Sequence, residues 1–257
     1  MNHLSPPTID LNADLGEHDG NGAAGDDAIL DLVTSASVSC GSHAGSPDVM
    51  RRTICAARDR NVSIGAHPGY PDRGSFGRVE LGLPVRDVAD SFRAQLDHFY
   101  AACDAEGTRV RYVKPHGALY NRAARDRELS AALCEVVVRL DSSLTLLSLA
   151  GGALETEALS AGLPVVREAF VDRGYLPDGF LVPRSDAGAM IADPAGAASR
   201  AVRMVLEHRV SAVDGTDIPI SPQSLCVHGD GANALRVIAA TRRALEAAQI
   251  TIQSFAS

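Results

Sequence analysis

Seven times along the chain a short apolar or β-branched run stops abruptly in polar, glycine-rich sequence and gives way to a segment with helical spacing. Alternation of that kind, without a composition break, points to one α/β domain on a parallel sheet. The first run is Thr8–Leu15, where Ile9, Leu11 and Ala13 alternate with Asp10, Asn12 and Asp14. Further strands are expected over 35–40, 62–66, 110–114, 144–150, 165–171 and 225–227. The run at 144–150 is almost wholly apolar, as a strand covered on both faces should be.

The intervening helices carry their own punctuation. Asp26 or Asp27 is expected to cap a short helix reaching about Val33, after a Gly-rich loop. Ser46 suits an N-cap and Pro47 a first helical position for a helix to about Arg60. The longest helix, 85–106, places Val88, Phe92, Leu96 and Phe99 at spacings of three and four and stops at Gly107. Two short helices are expected across 117–140, then helices over 153–161, 194–209 and 232–249.

The first strand is not followed by GxGxxG, which removes the main support for a dinucleotide-binding open sheet. Functional-looking residues end nearly every strand rather than clustering at one switch point, which favours a closed barrel. A barrel domain of 257 residues is ordinary, so no second domain is needed. A net charge of −8 disfavours nucleic-acid or anionic-membrane binding. No apolar run approaches the roughly 18 residues of a membrane span, and the N-terminus lacks the features of a signal peptide. The five scattered cysteines read as reduced thiols of a cytoplasmic protein.

The strand ends carry the chemistry. Asp14 and Glu17 stand three apart just past the first strand, where carboxylates serve as base, cation ligand or anchor to turn amides. His43 and His67 each lie at a strand terminus before a Gly or Pro turn. If their strands are neighbours, Asp14, His43 and His67 face one mouth and suit either a divalent metal or a metal-free acid–base site. Lys114 and His116 are separated only by Pro115, which stiffens the backbone between them. His228 and Asp230 repeat the pairing of imidazole and carboxylate, and Arg73, Arg78, Arg173 and Arg184 supply cations for a basic pocket in an acidic chain.

Several longer strings coincide with these ends: Ile-Asp-Leu-Asn-Ala-Asp-Leu-Gly-Glu (9–17), Cys-Gly-Ser-His-Ala-Gly (40–45), Gly-Ala-His-Pro-Gly-Tyr-Pro-Asp-Arg (65–73), Phe-Gly-Arg (76–78), Val-Lys-Pro-His-Gly-Ala-Leu-Tyr-Asn (113–121), Asp-Arg-Gly-Tyr (172–175), Leu-Val-Pro-Arg-Ser (181–185) and Val-His-Gly-Asp (227–230). In order and content they resemble the LamB/YcsF family, over nearly the whole chain. The resemblance implies a single domain over 1–257, a distorted seven-stranded β/α barrel similar to the glycoside hydrolase/deacetylase superfamily. It also implies ATP-dependent opening of 5-oxo-L-proline to L-glutamate together with separate B and C subunits. ATP is then a co-substrate, and the absence of GxxxxGK[ST] agrees with its being held largely by those partners. On that reading Asp14, His43, His67, Lys114, His116 and Asp230 do the chemistry. Glu17, Arg73, Arg78, Asp172, Arg173, Arg184 and His228 hold the lactam. Ser42 stands where the family usually has Phe, and Val79 where a second Arg is common. Two alternatives stay open: a metal-dependent deacetylase or amidohydrolase acting alone, and a non-catalytic lactam- or sugar-binding subunit.

Overall fold

The computed structural model describes residues 6–18, 23–229 and 233–256; Asp230 lies outside the described residues. Seven parallel strands close on themselves: β1 (Thr8–Leu15), β2 (Ser35–Ser39), β3 (Ser63–His67), β4 (Tyr112–Val113), β5 (Thr145–Leu149), β6 (Val165–Phe170) and β9 (Ser224–His228), which returns to β1. The closing register sets Asp10 opposite Ser224 and Asp14 opposite His228. Closure leaves no edge strand among the seven, and the expected distorted seven-stranded barrel is the fold.

Helices α1 (Ala23–Leu30), α2 (Pro47–Asp59), α3 (Val85–Ala105), α4 (Gly117–Ala123), α5 (Arg127–Asp141), α6 (Ala153–Ser160), α7 (Pro194–Leu206) and α8 (Ala234–Ala247) accompany the barrel. Ser46 caps α2, its side chain accepting from the Val49 amide, and Pro47 takes the first helical position. Val88, Phe92, Leu96 and Phe99 are the buried stripe of α3.

Asp26 does not cap α1, which begins three residues before it. Its carboxylate instead accepts the Gly16 amide at 2.9 Å and ties the helix to the turn after β1. The chain after α7 forms an antiparallel hairpin, β7 (Arg209–Ser211) and β8 (Asp217–Pro219), and β10 (Thr251–Ile252) adds to the start of β1. These two- and three-residue strands are too short for a two-residue period to register in sequence.

The polar residues of β1 occupy the barrel interior. Asp10, Asn12 and Asp14 are all buried; Asn12 reaches Glu168 of β6, and Asp14 accepts from Lys114 across the lumen. Ile9, Leu11 and Ala13 join the apolar layer beneath the helices. The barrel thus inverts the usual arrangement, in which branched aliphatic residues fill the interior. At its base Asp10 accepts from Thr34 at 2.7 Å, Ser35 at 2.6 Å and Ser224. Burial outweighs these donors and raises its pKa to about 6. The Tyr112 ring lies against Gly65 of the neighbouring strand, and its hydroxyl reaches Ser37 at 3.2 Å. All five cysteines are free, and among the described residues no helix is long and apolar enough to cross a membrane.

Candidate active site

The carboxyl ends of the strands surround a cavity of about 660 Å³. Asp14, His67, Lys114, His116 and His228 line it from the barrel side, and Arg78, Arg122, Arg125, Arg173 and Arg184 line it further out. Ligand sites of α/β barrels sit at this face because it collects the loops that follow every strand.

Lys114 is the central cation. It follows β4 directly, is 1% exposed, and crosses the lumen to bond Asp14 Oδ1 and Glu168 Oε1, each at 2.8 Å. Burial opposes its charge, but Asp14, Cys226 and Glu168 outweigh that cost and hold the ammonium well above the ordinary lysine range. A lysine so held is a fixed positive charge, not a nucleophile. Burial would raise the Asp14 carboxyl, yet His67 and Lys114 bring it well below the usual range. The pair is ionised, and Asn12 braces it by donating to Glu168 at 3.0 Å.

Beside this pair three histidines gather around Glu17. His43 donates its Nε2 hydrogen to Glu17 Oε1 at 3.1 Å, and His116 Nδ1 lies 3.2 Å from the same oxygen. The His43 and His116 rings stack with centroids 3.7 Å apart and planes within 2°. Burial pushes the His43 imidazolium down to about 4 despite Glu17, so this ring is neutral near pH 7. Burial would raise Glu17, but its contacts with His116 and His43 hold it well below the carboxylate range.

The loop after β3 shapes this cluster. Phe76 adopts a left-handed backbone at φ 58° and presents its carbonyl to His116 Nε2 at 2.8 Å. Gly77, at φ 63°, lies so close to the stacked rings that a Cβ there would fall 2.8 Å from His43 Cβ. Only glycine allows both that conformation and that approach. On the other side His67 Nδ1 donates to the Lys114 carbonyl at 2.8 Å.

The expected trio of Asp14, His43 and His67 does not supply three converging ligand atoms. The residues that do are Glu17, His67 and His116, with one ligand atom each within 4.8 Å of the others. His43 is displaced from that role because its ring stacks on His116 and its Nε2 is committed to Glu17.

Asp172 holds His228 through its backbone amide at 3.0 Å and through Nδ1 at 3.0 and 3.1 Å. Burial would raise the Asp172 carboxyl, but His228 outweighs it and leaves the group below its ordinary value. Arg173 is 3% exposed and donates to the carbonyls of Ala189 at 3.1 Å and Val182 at 2.6 Å. Burial and the neighbouring Arg184 lower its pKa to about 10, which leaves it charged at neutral pH. Arg78 stacks on Phe76, 4.6 Å from the ring centroid. Arg73 lies outside the cavity lining and donates to the Gly41 carbonyl at 2.9 Å. Val79 sits in the lining.

Sequence reasoning missed Glu168. It is fully buried mid-strand in β6, and a carboxylate interrupting an apolar strand run was the available signal. It also missed Arg122 and Arg125, which belong to the cavity lining.

The chain is similar over nearly its whole length to known proteins. The chain is 46% identical over 247 residues to the A subunit of 5-oxoprolinase from Limosilactobacillus fermentum, covering 96% of this chain and 98% of that protein. It is 45% identical over 249 residues to the 5-oxoprolinase A subunit numbered 3 of Pseudomonas syringae pv. tomato, covering 96% and 97%. The crystal structure of the lactam utilization protein from Thermus thermophilus superposes with a TM-score of 0.88 at 43% identity, over 96% of this chain and all of that one. A putative cellobiose-phosphate cleavage protein from Enterococcus faecalis V583 shares the fold at a TM-score of 0.60 and 12% identity, over 97% and 98% of the two chains. The model of the LamB/YcsF family matches residues 9–257, and the chain belongs to that family.

Proposed function

We propose that this chain is the lactam-opening component of an ATP-dependent 5-oxoprolinase, acting with B and C subunits on 5-oxo-L-proline. The observation that carries the reading is the buried Lys114 ammonium at the foot of an arginine-lined cavity. It stands beside relatives named for the A subunit of that enzyme.

The lactam amide is resonance-stabilised, so water attacks it readily only once its oxygen is activated. ATP supplies that activation by phosphorylating the oxygen, largely on the partner subunits. In the cavity, Arg173 with Arg78 and Arg184 pairs with the substrate carboxylate; a guanidinium fork fits a carboxylate in two parallel hydrogen bonds. Lys114 faces the activated oxygen and offsets negative charge as water adds to the ring carbon, in a site where burial strengthens the interaction. Asp14, bonded to Lys114 and 3.4 Å from His67, orients the water, and His67 accepts its proton. As the ring C–N bond breaks, the nitrogen takes a proton relayed through His67 and His116. C–N cleavage leaves an acyl phosphate, and a second water hydrolyses it to the new carboxylate and inorganic phosphate. Neutral His43 keeps Glu17 in place rather than transferring a proton itself. Asp172 orients His228 toward the same space, and Asp230 is proposed from the sequence alone as a further acid–base group.

The test is 5-oxoproline-dependent ATP hydrolysis with glutamate quantified, comparing this chain alone with the three-subunit mixture. Glutamate should appear only in the mixture, and His116→Ala should lower it about 10²–10⁴-fold, the usual worth of a positioned acid–base group. A mixture that forms no glutamate sinks the assignment. Near wild-type turnover by His116→Ala removes the proton relay from it.

A further inference from the structure

His67 and His116 are each fixed at their far nitrogen by a backbone carbonyl. Lys114 O lies 2.8 Å from His67 Nδ1, and Phe76 O lies 2.8 Å from His116 Nε2. A carbonyl only accepts, so both far nitrogens carry the hydrogen. In the neutral rings the near nitrogens, His67 Nε2 and His116 Nδ1, are then bare lone pairs, and they face each other at 3.0 Å. Two lone pairs at that separation repel unless something positive lies between them.

The third neighbour is also an electron-pair donor. Glu17 Oε1 lies 3.2 Å from His116 Nδ1 and 3.9 Å from His67 Nε2. A triangle with sides of 3.0, 3.2 and 3.9 Å has its centre about 2.0 Å from every corner. Bond lengths of about 2.0–2.2 Å to imidazole nitrogen and carboxylate oxygen are those of zinc. A carbonyl on the outer N–H of each ring is the arrangement that holds metal-ligating histidines in one tautomer and orientation. Charge leads to the same place. Asp14, Glu17 and Glu168 bring three buried carboxylates to this region, and Lys114 is the ammonium bonded to two of them.

We propose that Glu17 Oε1, His67 Nε2 and His116 Nδ1 form a binding site for one divalent transition-metal ion of the zinc class. Two imidazoles and one carboxylate select that class over the hard cations magnesium and calcium, which prefer all-oxygen ligands. Asp14 Oδ2 lies beside the site, 3.4 Å from His67 Nε2, and the His43 ring stacks on His116. His67 and His116 also line the cavity, which gives water or a substrate oxygen a route to the site. The alternative occupant of the gap is a single proton shared between the two rings, and binding measurements separate the two.

The full chain, washed with chelator and dialysed against Zn²⁺, Co²⁺ or Mg²⁺ in parallel, is assayed for bound metal by mass spectrometry. One equivalent of Zn²⁺ and of Co²⁺ is expected, the latter with visible d–d absorption, and no retained Mg²⁺. His67→Ala and His116→Gln should each weaken Zn²⁺ binding at least 100-fold, with circular dichroism unchanged. A wild-type chain that retains no Zn²⁺ or Co²⁺ above the buffer overturns the proposal, as does binding that both substitutions leave intact. An ion in this gap takes the place of the proton shared by the two rings, so it replaces that one step of the lactam reading and leaves its other residue roles unchanged. Glutamate formation by metal-free protein that also fails to bind Zn²⁺ removes the ion alone, whereas a metal-binding chain that never yields glutamate removes the lactam reading alone.

Discussion

Replacing Lys114 with Met keeps the length of the side chain and removes its charge. The ammonium bonds Asp14 and Glu168 at 2.8 Å each, with all three groups buried. Deleting one partner of a buried ion pair typically costs about 3–5 kcal/mol, because the charge left behind is neither solvated nor paired. Here two carboxylates are left, so the upper part of that range is expected at neutral pH. For a chain of this size each kcal/mol lowers the melting temperature by about 2–4 °C, which gives a fall of about 6–20 °C. Urea unfolding followed by circular dichroism measures the free energy directly.

Two further signs follow from the same geometry. Glu168→Gln alone should destabilise the wild type, since Lys114 loses an anion. In the Lys114→Met background the same change should restore stability, since it removes an uncompensated charge while still accepting from Asn12. The deficit of Lys114→Met should also shrink as pH falls, because protonation relieves the orphaned carboxylates. A Lys114→Met protein within about 1 kcal/mol of wild type would show that water reaches the pair. Equal effects of Glu168→Gln in both backgrounds would refute the coupling.

Asp10, whose pKa rises from an ordinary 3.8 to about 6, should make the opposite contribution to acid stability. Its protonated form is favoured in the fold, so its stabilisation is complete below pH 3.8 and is lost as pH rises through about 6. The gap between wild type and Asp10→Asn should therefore move in favour of Asn by up to about 3 kcal/mol from about pH 4 to pH 7, and parallel pH profiles would contradict it. Gly65→Ala should destabilise by about 1–3 kcal/mol or more, because the added methyl would overlap the Tyr112 ring; an unchanged melting temperature would mean that Tyr112 moves freely. Arg173→Lys in the reconstituted enzyme should raise KM for the lactam about tenfold or more with kcat little changed, as loss of one charge-assisted bond implies; an unaltered KM would take Arg173 out of substrate binding.

Much of the architecture was legible before any coordinates. Alternation of short strand runs with helical spacing gave the barrel, and Ser46-Pro47 marked the start of α2 to the residue. Strand ends rich in His, Lys and Asp located the functional face because a parallel barrel delivers every carboxyl end to the same rim. Sequence patterning was blind to the side on which β1 presents its acids. A period of two says that Asp10, Asn12 and Asp14 share a face, but it does not say whether that face meets water or the lumen.

Local sequence therefore determined which residues end strands, and with that the composition of the mouth. Only closure of the barrel decided the partners. Lys114 and Asp14 are 100 residues apart and Asn12 and Glu168 are 156 apart, and both pairs bond across the lumen. The choice of Glu17 over His43 or Asp14 beside the facing imidazoles likewise came from tertiary contacts: the stack of His43 on His116 and the two carbonyls that fix the outer nitrogens. Spacing along a chain carries residue type and local geometry, whereas the direction of a ring nitrogen's lone pair depends on an acceptor supplied by another part of the fold.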